Sequence, residues 1–158
     1  MEYTSSGDAA GLPGFFADLV RCETRLYNAL NDRLRARHGI VTSQFEALRY
    51  LRDHPGARVA DLAAEFAIGI GAASKSVDRL ERQGWTVRRP NPSDRRSSLL
   101  ALTDAGSQLV DAAEETFADA LAEMIGRALD APSTAAAANA LAKLRAALEH
   151  DQTGTPLG

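Results

Sequence analysis

The chain contains a single cysteine among 158 residues, so neither an internal disulfide framework nor a cysteine-cluster metal site is available to it. Its three histidines, His38, His54 and His150, are scattered without metal-ligand spacing, and each falls near an expected helix end. Aromatic residues make up only 6% of the chain, and no run approaches the roughly 18 consecutive apolar residues that a membrane span requires. The opening MEYTSSGDAAGLPG lacks the basic segment and apolar run of a signal peptide. Together these absences lead to the expectation of a soluble, cytoplasmic protein with no metal, no cofactor and no membrane partner. Catalysis finds little support. Cys22 and His38 lie sixteen residues apart on one expected helix, which at 1.5 Å per residue separates them by roughly 24 Å. A nucleophile and its base need about 3 Å. The chain is therefore not expected to be an enzyme.

What is present is ordinary in amount and unusual in arrangement. Hydrophobic residues make up 45% and charged residues 25%, typical of a globular domain, and abundant alanine leans toward helix. The formal net charge is −3, but the charge is segregated. Lys75, Arg79, Arg82, Arg88, Arg89, Arg95 and Arg96 meet only Asp78, Glu81 and Asp94 between residues 75 and 96, a local balance of +4. From Asp104 to the end, nine acidic residues face three basic ones. One basic segment on an acidic body suits a polyanion-binding surface, although charges that merely solvate a helix face give the same composition. Sequence order separates the two.

Residues 1–11 are small and polar, and a disordered arm is expected there. From Leu12, apolar residues at three-and-four spacing (Phe15, Phe16, Leu19, Leu26, Leu30, Leu34) predict an amphipathic helix over 12–38, ending near Gly39. Thr42 or Ser43 then caps a second helix with Phe45, Leu48 and Leu51 inward, broken by Pro55-Gly56. Val59, Leu62, Ala63 and Phe66 mark a short third helix. After Ile68-Gly69-Ile70-Gly71, a fourth turns Ala73, Val77 and Leu80 inward and stops at Gly84. Two short helices joined by a tight glycine-containing turn predict a helix-turn-helix, whose second helix presents Ser74, Lys75, Ser76 and Arg79 near its start.

The stretch after Gly84 strengthens that reading. Trp85-Thr-Val-Arg-Arg and Ser98-Leu-Leu-Ala-Leu-Thr alternate as strands do, the second with Leu100 and Leu102 inward. PNPSDRRS between them is all turn formers and charge, which predicts a hairpin with a protruding positive tip. Arg95 and Arg96 at that tip suit the negative potential of a narrow minor groove. Asp94 is expected to hold a neighbouring arginine through charge-assisted hydrogen bonds. Thr103 caps a long helix with Leu109, Val110, Ala113, Phe117, Leu121 and Met124, and a last helix repeats Ala137, Leu141, Leu144 and Leu148 at heptad spacing. The expected fold is mainly α with a small β-hairpin. It comprises helices at 12–38 and 104–149, a winged helix-turn-helix over 40–103, and a flexible tail at 150–158.

The run GAASKSVDRLERQGWTVRRPNPSDRRSSLLALTDAG resembles the signature of the MarR (multiple antibiotic resistance regulator) family of winged-helix transcription factors. The matching parts are Asp78-Arg79-Leu80, Gly84, the first wing strand at Trp85 to Arg89, Asp94-Arg95-Arg96, the second strand at Leu99 to Leu102, and Leu102-Thr103-Asp104-Ala105-Gly106. The resemblance implies a homodimer joined by the first and last two helices and binding a pseudo-palindromic double-stranded DNA operator, usually as a repressor. It also implies release by a small, often phenolic, ligand. By position it implies DNA contacts from Ser74, Lys75, Ser76 and Arg79, from Arg95 and Arg96, and at phosphate from Ser43 and Gln44, with Asp94 as wing organiser. Tyr27, His38, Phe45 and Arg49 are the candidate ligand-lining residues, each of which also fits a core or solvated position. A bacterial or archaeal regulator located at the nucleoid follows.

Two alternatives stand beside this reading. Oxidation-sensing members of the family carry a cysteine near the start of the first helix, with tyrosines nearby. With Leu26-Tyr27 aligned to that subfamily, Cys22 falls one position out of register, which turns the thiol by about 100°. An inert helix cysteine is the simpler reading, and redox sensing by Cys22 remains its rival. The other alternative is an architectural winged-helix protein without an effector.

Overall fold

The structure, a computed structural model, describes residues 6–156, with side chains from residue 11. Six helices and one hairpin follow in the order α1 (Ser6–His38), α2 (Thr42–Asp53), α3 (Val59–Glu65), α4 (Ile70–Arg82), β1 (Thr86–Pro90), β2 (Ser98–Leu102), α5 (Asp104–Gly126) and α6 (Ala131–His150). The helix expected from Leu12 thus begins at Ser6, with Pro13 inside it, and replaces the latter part of the expected disordered arm. Residues 6–11 carry no apolar periodicity, so nothing in the sequence announces this extension. Residues 1–5 of that arm lie outside the described residues. After α6 the chain turns through Gly154, whose φ is +73°.

The core forms where α1, α2, α4, α5 and the hairpin converge. Leu34, Ile40, Phe45, Leu48, Val77, Leu80, Leu100 and Val110 are essentially inaccessible to water. Each of these helices turns one stripe to this core, as its three-and-four spacing requires. Ala73, Val77 and Leu80 are the buried residues of α4. The rest of the fold keeps large apolar side chains in water: Leu12, Phe15, Phe16 and Val20 on α1, and Leu141, Leu144 and Leu148 on α6, which buries none of its residues.

Local chemistry accounts for most boundaries. The cap of α2 differs from expectation: Val41 is the N-cap, and Gln44 Oε1 accepts a hydrogen bond from the Val41 N–H at 3.0 Å. Thr42 is already helical, and its N–H donates to Asn31 Oδ1 at 2.8 Å, tying α2 to α1. The turn between α3 and α4 also differs. Its left-handed residue is Ala67 (φ +50°), not a glycine, and the Ile68 N–H closes the turn on the Ala63 carbonyl at 3.0 Å. At the end of α4, Gly84 (φ +79°) takes the left-handed position that favours glycine, and Trp85 N–H reaches the Leu80 carbonyl at 3.1 Å.

The hairpin pairs Thr86 with Leu102, Arg88 with Leu100 and Pro90 with Ser98. Cross-strand partners share a face, so the face carrying buried Leu100 also carries Thr86 and Arg88. The apolar–polar alternation of Trp85-Thr-Val-Arg-Arg turns Trp85 and Val87 inward by pattern, whereas Thr86 is the buried residue of β1. A further backbone bond from the Leu100 N–H to the Ala57 carbonyl at 2.8 Å fastens β2 to the connection between α2 and α3.

Candidate nucleic-acid interface

Helix α4 has a buried stripe, so its remaining side chains face out by geometry. Lys75, Ser76 and Arg79 are exposed and Ser74 is half-buried. Lys75 and Arg79, four residues apart, share one face. Among the described residues neither forms a salt bridge, which leaves two cations available to an external anion. Ahead of them, Ile70 is 60% exposed, followed by exposed Gly71 and Ala72. Its spacing of three and seven residues from Ala73 and Val77 places Ile70 on the buried stripe by pattern, so its exposure at the helix start has no signal in the sequence.

The wing tip is held by its own polar groups. Asn91 Nδ2 donates to Ser97 Oγ at 2.9 Å, and Asn91 Oδ1 accepts from the Ser93 N–H at 3.0 Å. Asp94 Oδ1 accepts from the Arg96 backbone N–H at 2.9 Å. Asp94 therefore shapes the loop through the backbone, not by holding an arginine side chain as expected. Arg95 and Arg96 are exposed, and among the described residues neither guanidinium meets a carboxylate. Ser43 is exposed at the start of α2, whereas Gln44 has its amide oxygen committed to the helix cap.

The four candidate ligand-lining residues fall at the junction of α1, α2 and α5. Phe45 is fully buried and packs on Phe117, with ring centroids 4.6 Å apart, so it belongs to the core. The Arg49 guanidinium stands 5.6 and 5.7 Å from the two ring centroids, with Glu46 at 3.7 Å. Burial, with the nearby carboxylates of Glu46 and Glu23, pushes the Tyr27 phenol above its ordinary value of 10.0. His38 Nε2 lies 2.8 Å from Thr116 Oγ1, tying α1 to α5. An open groove of about 1210 Å³ contains none of these four: it runs between α3 and α6 and is lined by Tyr50, Glu65, Leu141, Leu144, Arg145 and Leu148 among others. Cys22 is exposed on α1. No group of His, Cys, Asp and Glu suited to a metal ion occurs among the described residues, and no described helix is long and apolar enough to cross a membrane.

A helix-turn-helix followed directly by a β-hairpin wing defines the winged helix-turn-helix class of regulators. Residues 40–98 match the model of the MarR family. The chain is 28% identical over 96 residues to the multiple antibiotic resistance protein MarR of Escherichia coli, spanning 61% of this chain and 67% of that protein. Further curated relatives are matched over about half to two thirds of their length. Among solved structures, an Escherichia coli MarR mutant complexed with operator DNA superimposes with a TM-score of 0.76 at 25% identity, covering 85% of this chain and 96% of that one. The transcriptional repressor CouR bound to a 23-mer DNA duplex gives 0.73 at 28% identity, covering 91% and 99%. Residues 40–98 thus carry a MarR-family domain, and the chain as a whole is similar to MarR-family winged-helix transcriptional regulators.

Proposed function

We propose that this chain is a cytoplasmic, nucleoid-associated transcriptional repressor that binds a pseudo-palindromic DNA operator as a homodimer. One observation carries the reading. In a chain of net charge −3, Lys75 and Arg79 on α4 and Arg95 and Arg96 on the adjoining wing are all exposed, and none of them forms a salt bridge among the described residues. Side chains near the start of α4 suit base edges and phosphates of a major groove, and a projecting arginine-tipped hairpin suits the adjacent minor groove. The DNA-bound MarR and CouR structures support the same use of this fold. Exposed Phe15 and Phe16 on α1 and Leu141, Leu144 and Leu148 on α6 argue for a second copy, since large apolar side chains grouped on a helix face mark an interface. Dimer symmetry then sets half-sites about 34–36 Å apart.

Release by a small aromatic effector forms part of the proposal, with the Arg49 cation beside Phe45 and Phe117 as its anchor. The alternative of Cys22 oxidation has less support, because Cys22 falls one position out of register with the oxidation-sensing subfamily. Phenols and aromatic carboxylates should dissociate the parent's DNA complex and leave that of Arg49→Ala intact. The DNA-binding reading itself is tested by selection from random-sequence duplexes. An enriched palindrome supports it, and no enrichment favours the architectural alternative.

A further inference from the structure

Arg88 takes no part in the interface described above, yet it is the charged residue on the core-facing side of the wing. Its cross-strand partner Leu100 is 1% exposed, and Thr86 on the same face is buried. The Arg88 side chain leaves this face toward α4. Its Nη2 donates to Asp78 Oδ1 at 2.8 Å, and its Nη1 lies 3.5 Å from Glu81 Oε2. Asp78 and Glu81 are the only acidic residues of α4 and lie one turn apart on one face, so a single guanidinium meets both. All three side chains are 30–47% exposed, and partly exposed ion pairs contribute little to stability. The contact is better placed to fix geometry and charge than to hold the fold together.

We propose that Arg88 is a positioning residue for DNA recognition, one that clamps the root of the wing to the recognition helix through Asp78 and Glu81. The inference rests on the DNA-binding reading above. The clamp has two consequences. It sets the angle between α4, with Lys75 and Arg79, and the hairpin that carries Arg95 and Arg96, so that both reach one duplex. It also neutralises two carboxylates that share a helix with those cations and would otherwise repel phosphates. Arg89, the next residue, is exposed on the opposite face and has no such partner among the described residues.

A mutant cycle on the full-length chain tests this, using the duplex that the parent enriches from random-sequence DNA as probe. Arg88→Gln should weaken binding at least tenfold. In a background already carrying Asp78→Asn and Glu81→Gln, the same change should weaken it less than threefold, because the charges that Arg88 masks are gone. Arg88→Lys keeps the charge but not the planar fork, so an intermediate loss is expected; it also keeps the cycle usable should Arg88→Gln fail to fold. An equal loss in both backgrounds, with the salt-dependence slope reduced by about one, would show direct phosphate contact and overturn the proposal. If the parent enriches no duplex, the DNA-binding reading falls and this inference with it. Enrichment followed by zero coupling overturns the inference alone.

Discussion

Gly106 packs its bare Cα against the backbone of Trp85 so closely that a methyl group at position 106 would land on the Trp85 carbonyl. The contact belongs to a wider junction. Thr103 Oγ1 donates to the Gly84 carbonyl at 2.6 Å and accepts from the Gly106 N–H at 3.1 Å, while the Thr103 N–H donates to the Trp85 carbonyl at 3.0 Å. The end of α4 and the start of α5 are thus bonded across the base of the wing. The threonine and glycine of the LTDAG run serve this corner and not the ligand surface.

Gly106→Ala would ordinarily stabilise a helix by up to about 1 kcal/mol. Here the clash with fixed backbone should reverse the sign, costing about 1–3 kcal/mol. Thermal denaturation should show a fall of roughly 2–4 °C per kcal/mol for a chain of this size. An unchanged or higher Tm would contradict the packing.

Thr103→Val removes the cap of α5 and leaves the Gly84 carbonyl without its hydroxyl donor. A loss of about 1–2 kcal/mol is expected in urea denaturation, and Thr103→Ser should retain most of the stability.

Asp61 supplies a pH dependence with a definite sign. Hydrogen bonding from the Arg58 backbone N–H at 2.8 Å, and then from its side chain, holds the carboxyl below its ordinary value of 3.8. A carboxyl depressed in the folded state stabilises fully above its unfolded pKa and loses that contribution as pH falls through the folded value. Asp61→Asn keeps an acceptor for the Arg58 N–H but no longer titrates. Below about pH 4, the Tm of the parent should therefore fall more steeply than that of the variant. Parallel curves would remove the Arg58–Asp61 contact from the account.

Leu144→Glu or Phe16→Glu places a charge on the exposed apolar faces of α6 or α1. Sedimentation should show a folded monomer whose DNA affinity is at least tenfold lower, since each half-site is then bound alone. A persisting dimer would assign these faces to something else.

The fold was largely legible because its signals are local and periodic. Ala73, Val77 and Leu80, Gly84 and the Thr103 cap sit where spacing and capping chemistry place them. What escaped depends on pairing across the chain. Gln44 Oε1 turns back to the Val41 N–H, a cap that the expected Thr42 or Ser43 cap leaves out. Asp94 was expected to hold an arginine side chain, where the turn instead brings the Arg96 N–H to it. Arg88 looked like one more wing cation, and only the register against Leu100 reveals that it points to α4. Phe45 reads equally as ligand wall or core until Phe117 is seen against it.

The central claim is that the cations on α4 and the wing grip one duplex together, and salt dependence tests it most directly. On the selected duplex, log affinity should fall linearly with log salt concentration, and the slope should be shallower by roughly one per subunit for Arg79→Ala or Arg96→Ala. Both variants should remain folded and as oligomeric as the parent. Slopes and affinities equal to the parent's in both variants would contradict the account.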